Sequence, residues 1–136
     1  MPCKYVIAMD GAVVVERWTG AVTLDELMAH KQQQFLDPSI KEGASVLSDC
    51  TRAAFEISAD AISELSAMEN DPHNKPKIRR YAFLVGNDAH DKSQQFADQV
   101  DDSKKSVIIF NSLYVASAWL GMDLPKVREL IECSGD

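Results

Sequence analysis

The chain opens with two strand-like apolar runs, residues 5–9 and 12–18, joined by Asp10-Gly11. Both runs are rich in β-branched and other apolar side chains, which suit a half-buried strand. Asp and Gly accept the positive φ angles of a type I′ turn, and such a pair between two strands is a strong hairpin signal. The pattern therefore predicts an antiparallel hairpin with a tight turn at Asp10-Gly11.

A marked helix start follows the hairpin. Thr23 and Glu26 have the spacing of a capping box, and Val22 and Leu27 have that of a hydrophobic staple. Asp37-Pro38 predicts the end of this helix, because the residue before proline avoids helical backbone angles. The helical spacing predicts a buried stripe in which one residue is polar: Leu24, Leu27, Met28, Lys31, Phe35 and Leu36.

After this helix, short apolar runs alternate with helical patterns. Residues 44–48, 81–85 and 107–110 predict strands, the last two being uniformly apolar and therefore buried. Ser58 predicts the N-cap of a second helix, with Ile62, Leu65 and Met68 buried, and a third helix covers roughly residues 89–101. Asn111 or Ser112 caps a fourth helix ending at Gly121, and Asp123 caps a short terminal helix. We predict an α/β fold whose mixed sheet is parallel after the opening hairpin, with helices packed on it.

The overall composition narrows the function classes. A length of 136 residues fits a single domain over residues 1–136. The net charge of -7 repels phosphate backbones and argues against nucleic-acid binding. Three cysteines without a C-x-x-C pair indicate free thiols, and the sequence shows neither a signal peptide's apolar core nor a run of about 20 apolar residues. We expect a cytoplasmic protein without stable membrane insertion.

Four stretches carry a family resemblance: GAVTLDEL at 20–27, VLSD at 46–49, VIIF at 107–110 and ASAWLG at 116–121. With them the chain resembles the SpoIIAA-like family, whose STAS-type fold is related to anti-sigma-factor antagonists and, more distantly, to lipid-binding SEC14 domains. The resemblance implies that fold. It implies no defined chemistry, since much of the family has no assigned biochemical role.

The same resemblance suggests one modification site. In anti-sigma-factor antagonists a phosphorylatable serine begins the helix after the central strand, within an Asp-Ser-Ser-Gly pattern. Ser58, in the segment EISA at 56–59, has the equivalent position, although the preceding serine and the glycine are absent. A phosphate would suit a helix N-terminus, but an N-cap role explains Ser58 equally well. A phosphorylation-controlled regulator therefore remains an alternative.

Polar residues are expected at the carboxyl ends of the predicted strands, where open α/β sheets bind ligands. The leading hypothesis is a non-enzymatic domain that binds a protein partner or a small, possibly apolar ligand at this rim. The alternative is an enzyme that uses Asp49, Cys50 and His90, although no cysteine-hydrolase signature is present. The candidate rim residues are Asp49, Cys50, Thr51, Arg52, Asn87, Asp88 and Asn111.

No cofactor or metal is predicted. The three histidines are too scattered for a zinc site, and His30 has the i+4 spacing of a surface pair with Glu26. No P-loop or dinucleotide fingerprint is present. Apolar residues surround the last long helix more fully than one buried stripe requires, which predicts a homodimer: Leu113, Tyr114, Val115, Trp119, Leu120 and Met122.

Overall fold

The computed structural model describes residues 3–71, 77–101 and 105–134, without the side chains of residues 87, 88 and 134. Strands and helices alternate after an opening hairpin. Their bounds are β1 (Cys3–Ala8), β2 (Val13–Thr23), α1 (Leu24–Leu36), β3 (Ala44–Glu56), α2 (Ala59–Asn70), β4 (Ile78–Leu84), α3 (Asn87–Gln99), β5 (Ser106–Phe110), α4 (Leu113–Leu120) and α5 (Leu124–Ser134).

The five strands form one sheet in the order β1-β2-β3-β4-β5. β1 pairs with β2 in antiparallel orientation, and β2, β3, β4 and β5 pair in parallel. Each parallel pair needs a crossover, and α1, α2 and α3 supply the three crossovers. The predicted mixed α/β sheet is confirmed.

The hairpin is confirmed, but the predicted two-residue turn is wrong. Ala8 pairs with Val13, so four residues form the connection. Three of them have positive φ angles in succession: 51° at Met9, 56° at Asp10 and 92° at Gly11. The loop curls against the segment after α1, where the Lys41 amide donates to the Gly11 carbonyl at 2.9 Å.

β2 and β3 are longer than predicted, which changes the position of the expected rim. Residues 49–52 lie within β3 and do not follow it. Between the pairs Arg17–Asp49 and Thr19–Arg52, β2 contributes one residue and β3 contributes two, which is a β-bulge. The bulge shifts the alternation of side chains in β3, so that Cys50 and later Phe55 contact the same apolar cluster.

Helices cover both faces of the sheet. One face packs Val15, Leu47 and Ala82 against α4 and α5. The other face packs against α1, α2 and α3. β5 is an edge strand, and Ile108 is 36% exposed, so the prediction that this strand is buried on both faces is wrong.

The helix caps are confirmed at Thr23, Ser58, Ser112 and Gly121. The predicted buried stripe of α1 is wrong at its carboxyl end, because Phe35 and Leu36 are more than half exposed. Met68 of α2 is likewise 49% exposed. The buried residues of α1 are His30 and Gln34.

Candidate functional site

A buried carboxylate, Glu16, organises the face of the sheet beneath α1. Its Oε1 accepts hydrogen bonds from His30 Nε2 at 2.9 Å and Gln34 Nε2 at 2.7 Å. Its Oε2 accepts from Trp18 Nε1 at 2.8 Å and Ser48 Oγ at 2.6 Å. Four donors from β2, β3 and α1 therefore satisfy one carboxylate.

The donors decide the charge state of Glu16. Burial alone would raise its pKa, but the hydrogen bond and charge of His30, with the bonds from Ser48 and Gln34, lower the pKa to about 2. Glu16 is consequently a buried anion at neutral pH. The prediction that His30 forms a surface pair with Glu26 is wrong, since His30 is 4% exposed and bonds Glu16, while Glu26 completes the capping box.

One ring nitrogen of His30, Nδ1, takes no part in the hydrogen bond to Glu16. Nε2 donates to Glu16, and the buried Nδ1 has no hydrogen-bond partner among the described residues. Nδ1 is a donor in the imidazolium and an acceptor in the neutral ring. Unpartnered buried polar atoms are uncommon in proteins. Nδ1 is therefore available to a polar group that enters from outside the chain.

Cys3 also belongs to this region, with its Sγ 3.6 Å from His30 Nε2. Cys3, Glu16 and His30 each offer one ligand atom, and the three atoms lie within 4.8 Å of one another. These residues could hold a metal ion. In the metal-free arrangement, burial and the charge of Glu16 raise the Cys3 pKa and keep the thiol protonated.

A cavity opens beside the cluster, between the sheet and helices α1, α2 and α3. It encloses about 80 Å³. Glu16, His30 and Gln34 contribute polar atoms, and Lys31, Lys92 and Ser93 lie along its helical walls. Most of the lining is aromatic or aliphatic, including Trp18, Leu27, Cys50, Phe55, Ile57, Ile62, Leu65, Tyr81, Phe83 and Phe96.

A second concavity of about 240 Å³ adjoins the cavity along α1 and is called the lysine groove here. The two share Lys31, Gln34, Leu65 and Tyr81, so they meet at this wall. The rest of the lysine groove is formed by Met28, Gln32, Phe35, Met68, Glu69, Lys77, Ile78 and Lys105.

Cys50 lines the cavity, but its chemistry does not suit a nucleophile. Burial, together with the charges of Glu16 and Asp49, raises the Cys50 pKa, although a hydrogen bond with Ser48 opposes this. A neutral thiol is a weak nucleophile. His90 is exposed and lies 3.7 Å from the carboxylate of Asp91.

The other candidate rim residues differ in exposure where the structure describes their side chains. Asp49 is buried and bonds Thr51 Oγ1 at 2.6 Å and Arg17 Nε at 3.2 Å. Strand alternation places Asp49 and Glu16 on opposite faces of the sheet. Arg52 and Asn111 are exposed, and the side chains of Asn87 and Asp88 lie outside the described residues. A ligand site at this rim stays a prediction.

Ser58 lies away from the cavity lining and caps α2, accepting a hydrogen bond from the Ala61 amide at 3.1 Å. Ser58 is exposed. The capping role is confirmed, and phosphorylation of Ser58 stays a prediction.

Sequence reasoning missed Glu16, His30 and Gln34. One signal was available, because Glu16 directly follows the apolar run 12–15 and stands two residues before Trp18, on the same face. His30 and Gln34 are four residues apart on a helix, so they also share a face. Neither signal reveals that the two faces meet, which depends on the packing of α1 across β2 and β3.

Among residues 3–71, 77–101 and 105–134, no helix has the length and apolar character needed to cross a bilayer.

No protein-family model matches the sequence, and no curated protein matches it. A solved structure does match: the crystal structure of an uncharacterised protein of the DUF3478 family with a SpoIIAA-like fold, from Shewanella loihica PV-4. The TM-score is 0.53 at 15% sequence identity, and the match covers 87% of this chain and 91% of that chain. Together with the strand order and the helices on both faces, this likeness shows that the chain has the SpoIIAA-like α/β fold.

Proposed function

We propose that the chain acts by binding a small, predominantly apolar ligand in the cavity between the sheet and helices α1–α3. Ligand pockets are typically apolar concavities with a few placed polar groups. This cavity has that composition, with aromatic walls and the Glu16 cluster at one side. The single observation that carries the proposal is the open aromatic cavity beside His30 Nδ1, a buried atom without a hydrogen-bond partner in the part of the chain that the structure describes.

Energetics support a ligand in this position. Interior voids larger than a water molecule are few, because unfilled space loses dispersion contacts. An apolar group entering the cavity would recover those contacts and remove apolar surface from water. A hydroxyl on the ligand, which can both donate and accept, would satisfy His30 Nδ1 in either protonation state; an unpaired buried polar atom costs about 1–3 kcal/mol.

Binding suits the site better than catalysis. The Glu16 carboxylate accepts from four donors, which hold it as a fixed anion. The Cys50 thiol has a raised pKa and is neutral at physiological pH. Free Cys3, Cys50 and Cys133 suit a reducing compartment, so we propose a cytoplasmic location.

Calorimetric titration with octan-1-ol, a neutral chain with one hydroxyl, tests the proposal. We expect saturable binding that Ser93→Phe weakens by about tenfold or more, because Ser93 lines the cavity and overpacking costs roughly 1–3 kcal/mol. Ser63→Phe is the matched control, since Ser63 is an exposed serine of α2 outside the lining. Absence of binding, or equal weakening by both variants, would contradict the proposal.

A further inference from the structure

The lysine groove contains a charge imbalance. Glu69 accepts from Lys31 Nζ at 2.9 Å through Oε1 and from Lys105 Nζ through Oε2. One carboxylate therefore faces two ammonium groups. The Lys31 and Lys105 side chains are 24% and 4% exposed, and that of Glu69 is 11% exposed, so the excess positive charge is largely withdrawn from water.

Lys77, the third lysine of the groove, already has hydrogen-bond partners within the chain. Its ammonium donates to the carbonyls of Gln34, Phe35 and Asp37, at the carboxyl end of α1. Free carbonyls and the helix dipole favour a cation there. Among the described lining residues, the lysines left for the head group of a ligand are therefore Lys31 and Lys105, which share the Glu69 carboxylate.

The nearby aromatic ring compensates this charge only in part. Lys31 Nζ and Lys105 Nζ lie 5.1 and 4.9 Å from the centroid of Tyr81. A cation–π contact stabilises an ammonium less than a buried carboxylate partner does. Burial lowers the Lys105 pKa despite the opposing charge of Glu69, in keeping with an ammonium short of negative charge. Burial opposes the charged form of Lys31 as well, but Tyr81, Glu69 and Glu16 outweigh it and raise the Lys31 pKa.

We propose that the ligand is an amphipathic monoanion, an alkyl or similar apolar chain ending in a carboxylate, whose head group binds between Lys31 and Lys105. This inference rests on the proposed function, because the apolar chain would occupy the cavity. A second carboxylate would give two anions for two ammonium groups. Lys31, Leu65 and Tyr81 line both the cavity and the groove, so the proposal places the junction between chain and head group at these residues.

The excess of positive charge in the lysine groove contrasts with the negative net charge of the whole chain. The whole chain carries -7, which disfavours anions at long range. Among the described lining residues of the groove, three lysines stand against one glutamate. A net positive groove on an acidic protein selects an anion by close contact, because screening limits the long-range repulsion to about 8–10 Å.

Competitive calorimetry with octanoate and octan-1-ol near neutral pH tests the inference, since the two probes differ only in the head group. We expect octanoate to bind at least about tenfold more tightly, as a charge-assisted contact should give. Lys105→Gln, at a lysine that lines the groove but not the cavity, should abolish that preference and leave octan-1-ol binding unchanged. Lys31→Gln should also abolish the preference, because each variant restores one cation to one anion. Two variants are used so that a folding defect in one leaves the other informative.

Lys92→Gln is the control, since Lys92 lines the cavity but not the groove and its ammonium donates to the Phe55 carbonyl. It should retain the preference for octanoate. Equal affinity for both probes, or loss of the preference in Lys92→Gln alone, would overturn the head-group assignment and leave the apolar-ligand proposal standing. Failure of both probes to bind would overturn both.

Discussion

Glu16 is the residue on which the candidate site depends most. It is 4% exposed. Two side chains of the sheet, Trp18 and Ser48, donate hydrogen bonds to it. Two side chains of α1, His30 and Gln34, also donate to it. A carboxylate in this position is stable only while its donors stay in place. The Glu16 cluster therefore ties α1 to β2 and β3 and holds one wall of the cavity.

Glu16→Gln should destabilise the protein by roughly 3–5 kcal/mol, the cost of breaking a buried charged cluster. The amide must point an N–H₂ group at existing donors, whichever way it is turned. Chemical denaturation measures the change in the free energy of unfolding. Glu42→Gln, at an exposed glutamate, is the control and should stay within about 0.5 kcal/mol of the parent.

Acid should weaken the same cluster. The Glu16 pKa is lowered from 4.5 to about 2 on folding, so its stabilisation is present above about pH 4.5 and is lost as the pH falls from 4.5 towards 2. Glu69, with a pKa of about 2 for the related reason of two lysine partners, contributes over the same window. Unfolding measured across this range should show a shallower loss in Glu16→Gln than in the parent. Identical slopes would contradict the assignment of a buried Glu16 anion.

At the scale of the elements, the hairpin loop shows how a backbone angle and a close contact act together. Gly11 has a φ of 92°, and a Cβ placed there would lie 2.3 Å from the Ser39 carbonyl oxygen. Gly43 has a φ of 85°, and a Cβ there would meet nothing within 4 Å. The two glycines share the conformational requirement and differ in the available space.

Gly43→Ala should therefore cost about 1–2 kcal/mol, the penalty of a left-handed backbone angle for an L-residue. Gly11→Ala should cost about 1–3 kcal/mol more, because the loop must also move away from the segment after α1. Thermal unfolding of both variants measures the difference. Equal costs would show that the contact with Ser39 does not constrain the loop.

The elements also show which structural features adjacent residues predict and which depend on non-local contacts. Thr23, Ser58 and Gly121 were predictable because caps depend on a few adjacent residues and on backbone angles. The extra length of β3 was not predictable, since residues 52–56 are held by pairing with residues 19–23 of β2, a non-local interaction. The buried face of α1 was misplaced because Phe35 and Leu36 suggested a stripe, while Glu16 selects the neighbouring face that carries His30 and Gln34.

At the scale of the whole molecule, the two faces of the sheet differ in character. The face under α4 and α5 is an apolar cluster of Val13, Val15, Leu47, Ala82 and Val127 and their neighbours. The face under α1, α2 and α3 includes the Glu16 cluster, the cavity and the Lys31–Glu69–Lys105 triad. The face under α4 and α5 also carries a buried ion pair, Arg17–Asp49, so both faces hold buried charges, whereas the cavity lies on the face under α1, α2 and α3.

The exposed apolar residues of α4 concern the predicted homodimer. Tyr114 and Val115 of α4 are 67% and 51% exposed, and the homodimer stays a prediction. If α4 forms the contact, sedimentation equilibrium should give the mass of two chains, and Tyr114→Glu should give the mass of one. Leu36→Glu, at a 65% exposed leucine of α1, is the control and should remain dimeric. A parent mass of one chain at micromolar concentration would remove the dimer.

The most direct test of the central claim is methyl NMR of the isotopically labelled chain during titration with octan-1-ol. Binding in the cavity should shift the methyl resonances of Leu27, Ile57, Ile62 and Leu65, which line it, and leave those of Val127, Leu130 and Ile131, on the opposite face of the sheet, in place. Shifts confined to α5, or no saturable shift on either face, would contradict the assignment of the cavity as a ligand-binding site.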